Sequence, residues 1–567
     1  MRHITKFILI LLTLFTLSLG NIYAGNKDIQ LFWQEKEEEE LIDSLLSSMS
    51  DEEIIGQVFL LGYFGALPSP DILDWISSRN IGGVKIFGWN AEDLEKLSLS
   101  IAQMQETAGE TKWGIPLLIA TDQEGGWVRH VKGETSITPG NIAIGASGIP
   151  FDAYYSGYFI GIELQALGIN MNFAPTVDVY INPNADVIGP RAFSDDPLST
   201  SILSIAYYKG MEKAGLICTA KHFPGHGGAD KDSHGIMPTI NASMEELWDR
   251  DLLPYRFLVK EGIPAVMSGH LGFPQIIPAD CPASLSSYFL HDVLRDEIGF
   301  QGVIITDDLR MNGVRQGDMT LSQICVNALD AGNDMIMLSQ TPGKYDAIWQ
   351  AIYNKYSEDT EFREKIRNAV RRILRLKIRY LKNGSKVNLI PDSKGIKKVI
   401  PSEEGKEYFF DLACRSVTIL RDKDLPLNGA GSDKKMLITG QFNTFLQEGT
   451  KRFPDADRFY FPYTPFYSSE SWVQKEIVRL SENYDTIIFC LANPNSLQIL
   501  KTLKDYTGNL IVFSVLTPIY LRETSWVKNA IAVYGTGQTS FQAGFGVISG
   551  DFSAEGICPI QIFKPDE

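Results

Sequence analysis

Short apolar runs alternate with amphipathic stretches through the first two thirds of the chain. Eight of the runs read as buried strands: Val58–Tyr63, Gly83–Phe87, Leu117–Thr121, Asn170–Ala174, Ile217–Lys221, Ala265–Ser268, Val303–Thr306 and Asp334–Leu338. Each is short, rich in β-branched or other apolar residues, and followed by polar or glycine-rich sequence. Helical patterns lie between them, as in Phe151–Leu167 and Met244–Lys260. Strand alternating with helix predicts a parallel sheet, and eight such units predict an α/β fold of the (β/α)8 TIM-type barrel class. The stretch Thr360–Leu381 reads as an amphipathic helix with a solvated cationic face. A linker rich in Lys, Gly, Ser and Pro follows at 386–402. Beyond it, apolar runs at Met436–Thr439, Thr486–Leu491, Leu510–Val515 and Ala530–Tyr534 predict a smaller, doubly wound αβ domain over 403–567. No GxGxxG or GxxxxGK[ST] occurs there, so a nucleotide site has no support.

The N-terminus changes the boundaries. Residues 1–24 carry Arg2 and Lys6, then an apolar run from Phe7 to Gly20 and a small residue at Ala24. This is the pattern of a secretory signal peptide, and the run is short for a membrane span. The barrel is therefore expected over 25–385, and the protein is expected to be exported, periplasmic or extracellular. An uncleaved N-terminal anchor is the competing reading. The six cysteines, Cys218, Cys281, Cys325, Cys414, Cys490 and Cys558, are scattered and form no CxxC. Spacing alone assigns them no pairing.

Composition narrows the function classes. The 567 residues are 44% hydrophobic and 21% charged, which is globular and excludes disorder. The net charge of −17 would become −19 on loss of Arg2 and Lys6. Such a chain is a poor candidate for nucleic acid, whose binding rests on cations facing phosphate.

Histidine is scarce, with seven in all, yet three fall between His222 and His234. In a barrel, the C-terminal ends of the strands carry the site. Polar residues stand there repeatedly: Asp122-Gln123-Glu124, Thr176-Val177-Asp178, Lys221-His222 running on to His226, Asp232 and His234, Ser268-Gly269-His270, and Asp307-Asp308. Each alone reads as a turn residue or helix cap; together they converge on one mouth, which His222, His226, His234 and His270 are all expected to face. The glycines of 224–228 allow sharp bends and predict a mobile loop. Asp232, two residues from His234, can orient that ring and raise its pKa. Asp307 can then act as a carboxylate nucleophile across the substrate from a histidine acid/base. The rival reading is a metal held by His222, His226, Asp232 and His234. The Gly and Pro between the first two histidines oppose it, because they break the helix that would align the rings. No metal or organic cofactor is expected.

The sequence KHFPGHG at 221–227, DSH at 232–234, DQEGG at 122–126 and TDDLRM at 306–311 resembles the family 3 glycoside hydrolases, and among them the β-N-acetylglucosaminidase branch. The resemblance covers both expected domains and implies that the second, 403–567, is an αβα sandwich domain. It implies a retaining exo-glycosidase acting on a glycan that contains N-acetylglucosamine, such as peptidoglycan fragments or chitin-derived oligosaccharide. It implies Asp307 as nucleophile, His234 as acid/base with Asp232 as its partner, and Asp122, Arg191, Lys221 and His222 as sugar-binding residues. The chain departs from the family pattern where Trp127 and His130 stand in place of arginines. Three alternatives remain on this reading: a β-glucosidase, a phosphorylase of the same family, or an inactive glycan-binding protein.

Overall fold

The computed structural model describes residues 30–562, apart from 186, 230–235, 316, 344–345, 384, 424, 428–434 and 464–470. The expected leader lies outside the described residues. So do Asp232 and His234.

Eight parallel strands close into a barrel: β1 (Phe59–Gly62), β2 (Gly83–Ile86), β3 (Leu118–Thr121), β4 (Met171–Asn172), β5 (Ile217–Phe223), β6 (Ala265–Ser268), β7 (Val303–Asp308) and β8 (Met335–Leu338). The ring closes where β1 pairs with β8, with Phe59 opposite Ile336. The strands are buried along almost their whole length. That explains their continuous apolar sequence, because helices cover the outside and side chains fill the inside. All eight runs read from the sequence are strands. β5 and β7 extend two residues further than their patterns, so His222 and Asp307 join Lys221 inside the strands. β4 is shorter than its pattern. Its pairing with β5 continues irregularly through Pro175, which has no N–H to give, to the bridge between Thr176 and Lys221.

One helical reading changes. Met244–Lys260 is two helices, Met244–Asp249 and Leu253–Lys260. Pro254 opens the second, since it cannot donate to the carbonyl of Arg250 but suits a first helical turn. The expected linker is docked. Val387, Ile396 and Ile400 are buried, and the Ser402 N–H donates to Glu163 Oε1 at 2.9 Å. Ser402 also caps the helix Glu403–Ser416.

The second domain is a six-stranded sheet ordered β9 (Thr418–Arg421), β14 (Asn529–Tyr534), β13 (Asn509–Val515), β12 (Thr486–Leu491), β10 (Met436–Gly440) and β11 (Asp457–Tyr460). Only the β9–β14 pair is antiparallel. Alternate residues face opposite ways. Ile438, Ile488, Ile511 and Phe513 meet Phe445, Phe541 and Phe545 of the helices on one side. Leu437, Ile487, Phe489 and Val512 meet Ile477, Leu497 and Leu500 on the other, in a cluster that also takes in Ile142, Ala143 and Ala146 of the barrel domain. The two domains therefore share a core. Arg415 and Tyr408 both donate to Asp152, at 2.7 Å each, and the tail returns to the barrel through Ile557 N–H to Ala146 O and Ser194 Oγ–H to Pro559 O.

None of the six cysteines is joined in a disulfide. Among the described residues no helix is long and apolar enough to cross a membrane.

The end of the barrel opposite the mouth is tied by Asp334, whose side chain is fully buried. It accepts from Arg295 Nη2 at 2.6 Å, Arg372 Nε at 2.8 Å and the Ile304 N–H at 2.8 Å. Asp334→Ala should lower stability by about 3 kcal/mol, because it strands buried arginine charge; Arg372 is partly solvated, which holds the loss to the low end. Urea unfolding followed by circular dichroism measures this, and a loss below about 1 kcal/mol would contradict it.

Candidate active site

The barrel mouth is lined by a chain of alternating charges. Asp122, just past β3, accepts from Lys85 Nζ at 2.7 Å and Lys221 Nζ at 2.5 Å. Lys221 also reaches Glu124 Oε1 at 2.5 Å. Glu124 takes both nitrogens of the Arg191 fork, Nε at 2.8 Å and Nη2 at 2.7 Å. Arg191 Nη2 then meets His222 Nε2 at 3.1 Å, and His222 Nδ1 meets Asp178 Oδ2 at 2.8 Å. A guanidinium only donates, so His222 Nε2 is the acceptor and Nδ1–H donates to Asp178. Both ring nitrogens are engaged. His222 has no lone pair left for a cation, and the metal reading loses one of its four ligands.

These buried groups hold one another in their charged forms. Burial alone would raise the Asp122 pKa, but the attraction of Lys221, then Lys85, holds it well below the carboxylate range. Glu124 is likewise brought to about 2, against burial, by Arg191 and Lys221. Asp178 is lowered against burial by His222, and it also accepts the His226 N–H at 2.7 Å. Isolated charges at these depths would be strongly disfavoured; paired and hydrogen-bonded ones are not.

Asp307 is the penultimate residue of β7 and is half-buried. Burial opposes its ionised form, yet His222, His270 and the Asp308 N–H, which donates to Oδ1 at 2.8 Å, lower its pKa. The turn is fixed from behind. His270 Nε2 lies 3.1 Å from the Asp308 carbonyl, which can only accept, so Nε2 carries hydrogen. Burial lowers the His270 pKa, and the neutral ring takes the Ser284 hydroxyl at Nδ1, 2.7 Å away. The Asp308 carboxylate accepts the N–H of Arg310 and of Ser339.

The structure thus brings Asp122, Arg191, Lys221, His222 and Asp307 to one mouth. His226 and His270 are as buried as His222, at 5% and 1% exposure against 6%; His226 gives its backbone N–H to Asp178, and His270 gives its Nε2 hydrogen to the Asp308 carbonyl. The structure corrects the reading of 224–228 as a mobile loop. These residues are largely buried. Gly225, at φ +133°, packs on Asp251, and a Cβ at Gly227 would fall 1.7 Å from the Val179 carbonyl. Glycine is used here for close approach rather than motion.

Lys85 escaped the sequence reading. Its signal was a lysine inside the buried run Gly83-Val84-Lys85-Ile86, a position where an unpaired charge is not tolerated. It is fully buried and also donates to His130 Nδ1 at 3.1 Å. His130 is pushed to about 4 by burial and by Lys85, so it accepts. Glu124 and Asp178 were seen only as members of polar clusters. Trp127, 45% exposed, meets Tyr463 of the second domain with ring centroids 5.7 Å apart.

Such a mouth can grip a ligand rich in hydroxyls. Asp122 keeps lone pairs beyond those used by the two lysines, and Lys221 keeps one N–H. Fold and site together define the class: a (β/α)8 barrel whose mouth is preset to bind a polyhydroxylated ligand beside an ionised carboxylate. Residues 52–376 match the N-terminal domain of glycosyl hydrolase family 3, and the chain belongs to this family. It is 37% identical over 268 residues to a beta-hexosaminidase of Idiomarina loihiensis, covering 46% of this chain and 78% of that protein. It is 37% identical over 261 residues to beta-hexosaminidase A of Pseudoalteromonas piscicida, where the match spans 43% of this chain and 44% of that longer protein. Among solved structures it is similar to a family 3 beta-N-acetylglucosaminidase from Paenibacillus sp. str. FPU-7, with a TM-score of 0.83 and 28% identity over 91% of this chain and 99% of that one.

The buried ring of His226 gives a test by pH. Burial, then the neighbouring His222, lower His226 from 6.5 to about 4. Between those values the unfolded chain binds a proton that the folded chain refuses, so this residue makes stability fall as pH falls. Asp251, raised by burial to about 6, works in the opposite direction over the same range. The comparison is therefore between two proteins. His226→Gln should lose less stability than the wild type between pH 7 and about 4.5, by up to one proton in the slope. Parallel urea midpoints across that range would contradict the burial argument.

Proposed function

We propose that this protein is a retaining exo-β-N-acetylglucosaminidase that releases terminal β-linked N-acetylglucosamine. The observation that carries this is Asp307, an ionised, half-buried carboxylate fixed at the end of β7 beside the Asp122–Lys221–Arg191–His222 floor. Its similarity to beta-hexosaminidases selects the N-acetyl sugar.

Asp307 attacks the anomeric carbon and forms a glycosyl–enzyme ester, while an acid protonates the leaving oxygen. Water then attacks the same carbon and returns the carboxylate. The carboxylate also stabilises the positive charge that develops on the sugar. Asp122 accepts from sugar hydroxyls, and Lys221 and Arg191 donate toward the same ring; His222 is locked by Asp178 and packs beside it. The acid/base role falls to His234, with Asp232 as its orienting partner, on the strength of the KHFPGHG and DSH motifs. Both lie outside the described residues. A histidine in that role also suits phosphate as acceptor, since it carries no negative charge to repel an anion. The apolar leader supports export, and with it peptidoglycan fragments or related oligosaccharides as substrate.

Wild-type protein should hydrolyse a chromogenic β-N-acetylglucosaminide faster than the matching β-glucoside. Asp307→Ala, checked for folding, should lose about a thousandfold or more of kcat/KM, equivalent to about 4 kcal/mol of barrier. Persistent activity would remove Asp307 as nucleophile. An inactive wild type that still binds the sugar would favour the binding-protein reading, and a rate that rises with phosphate would favour the phosphorylase.

A further inference from the structure

Beyond the charged floor, three aromatic rings climb out of the mouth from the ends of β1 and β2. Phe87 follows β2 and lies against the floor: its centroid is 4.5 Å from Lys85 Nζ and 5.5 Å from the His130 ring. Trp89 stacks on Phe87 at 4.5 Å, with the planes 9° apart. Phe64, in the loop after β1, leans on Trp89 at 5.4 Å. Exposure rises outward, from part-buried Phe87 to 40% at Trp89 and 58% at Phe64.

The rings are held in place. The Trp89 indole N–H donates to the Tyr63 carbonyl at 2.8 Å. Fully buried Asn90 donates to the Tyr63 and Gly65 carbonyls and accepts the Phe87 N–H. One amide therefore locks the β1 loop to the β2 loop, and the aromatic surface exists before any ligand arrives. Fixed aromatic rings left open to water mark a binding surface. Their continuity with the Lys85–Asp122–His130 end of the floor restricts the occupant to a ligand already held in that pocket. A pyranose ring fits: its C–H face stacks on an aromatic ring while its hydroxyls stay in water.

Resting on the glycosidase reading above, we infer that Phe64, Phe87 and Trp89 form a second sugar subsite, which binds the next ring of an oligosaccharide whose terminal residue occupies the floor. The protein would then favour oligosaccharides over single glycosides.

Calorimetric titration of full-length Asp307→Asn tests this without turnover. Tri-N-acetylchitotriose should bind at least about tenfold more tightly than N-acetylglucosamine, the equivalent of one aromatic stack. Adding Trp89→Ala, or Phe64→Ala should Trp89→Ala disturb Phe87, should remove most of that advantage and leave monosaccharide affinity unchanged. Equal affinities in the parent, or a full advantage kept in both ring variants, would overturn the shelf. If neither sugar binds, the shelf falls with the glycosidase reading. If wild type fails to release N-acetylglucosamine while the trisaccharide advantage and its loss in the ring variants hold, only the reading of the reaction falls and the shelf stands.

Discussion

Five charged groups from four segments of the barrel are buried together, and none can be accommodated alone. Lys85, Asp122, Lys221, Glu124 and Arg191 alternate in sign along one connected path. In low dielectric each depends on its neighbours for its ionised state, and removing one leaves the next uncompensated. The same dependence fixes geometry. Lysine side chains are ordinarily mobile, but here they are pinned at 2.5–2.7 Å on a shared carboxylate. The mouth is consequently rigid before ligand arrives, which is the condition for selective recognition of hydroxyl positions.

That path accounts for neighbouring features that look unrelated. Strand β5 runs on past its apolar pattern because Lys221 and His222 are satisfied inside the protein by Asp122, Glu124 and Asp178. The glycines after it are needed because the segment presses against Asp251 and the Val179 carbonyl. His226 and His270 each support a carboxylate-bearing turn, the first through its backbone N–H to Asp178, the second through Asp308. Burial disfavours the charged form of both rings, so they add no positive charge beside Lys85, Lys221 and Arg191.

The barrel was legible because its signal is repetitive: eight short buried strands, each followed by polar or glycine-rich sequence, leave eight similar marks. The site was legible in Asp122, Lys221, His222 and Asp307, since polar residues at or just after the ends of apolar runs are visible in one dimension. The partners that make those residues work were less so. Lys85 lies inside an apolar strand on a different segment, and nothing local links it to Asp122. Arg191 was reached through resemblance alone; its approach to Glu124 spans 67 positions. In the sandwich domain the four central strands were plain. The edge strands β9 and β11 were missed because their side chains are partly solvated, as in Asp457–Tyr460, and so lack an apolar run.

The second domain bears on the mouth as well as on stability. Its sheet shares one apolar cluster with Ile142, Ala143 and Ala146, and those residues lie shortly after the DQEGG ribbon that carries Asp122 and Glu124. Trp127, at the tip of that ribbon where the family pattern has an arginine, turns to Tyr463 of the second domain. An arginine there would bring positive charge to a mouth that already holds Lys85, Lys221 and Arg191. The tryptophan adds none, and Lys85 supplies a cation from inside the barrel on the Asp122 side. Trp127 thus faces the second domain, while the neutral His130 accepts from the Lys85 ammonium inside the barrel and leaves that cation bound to Asp122.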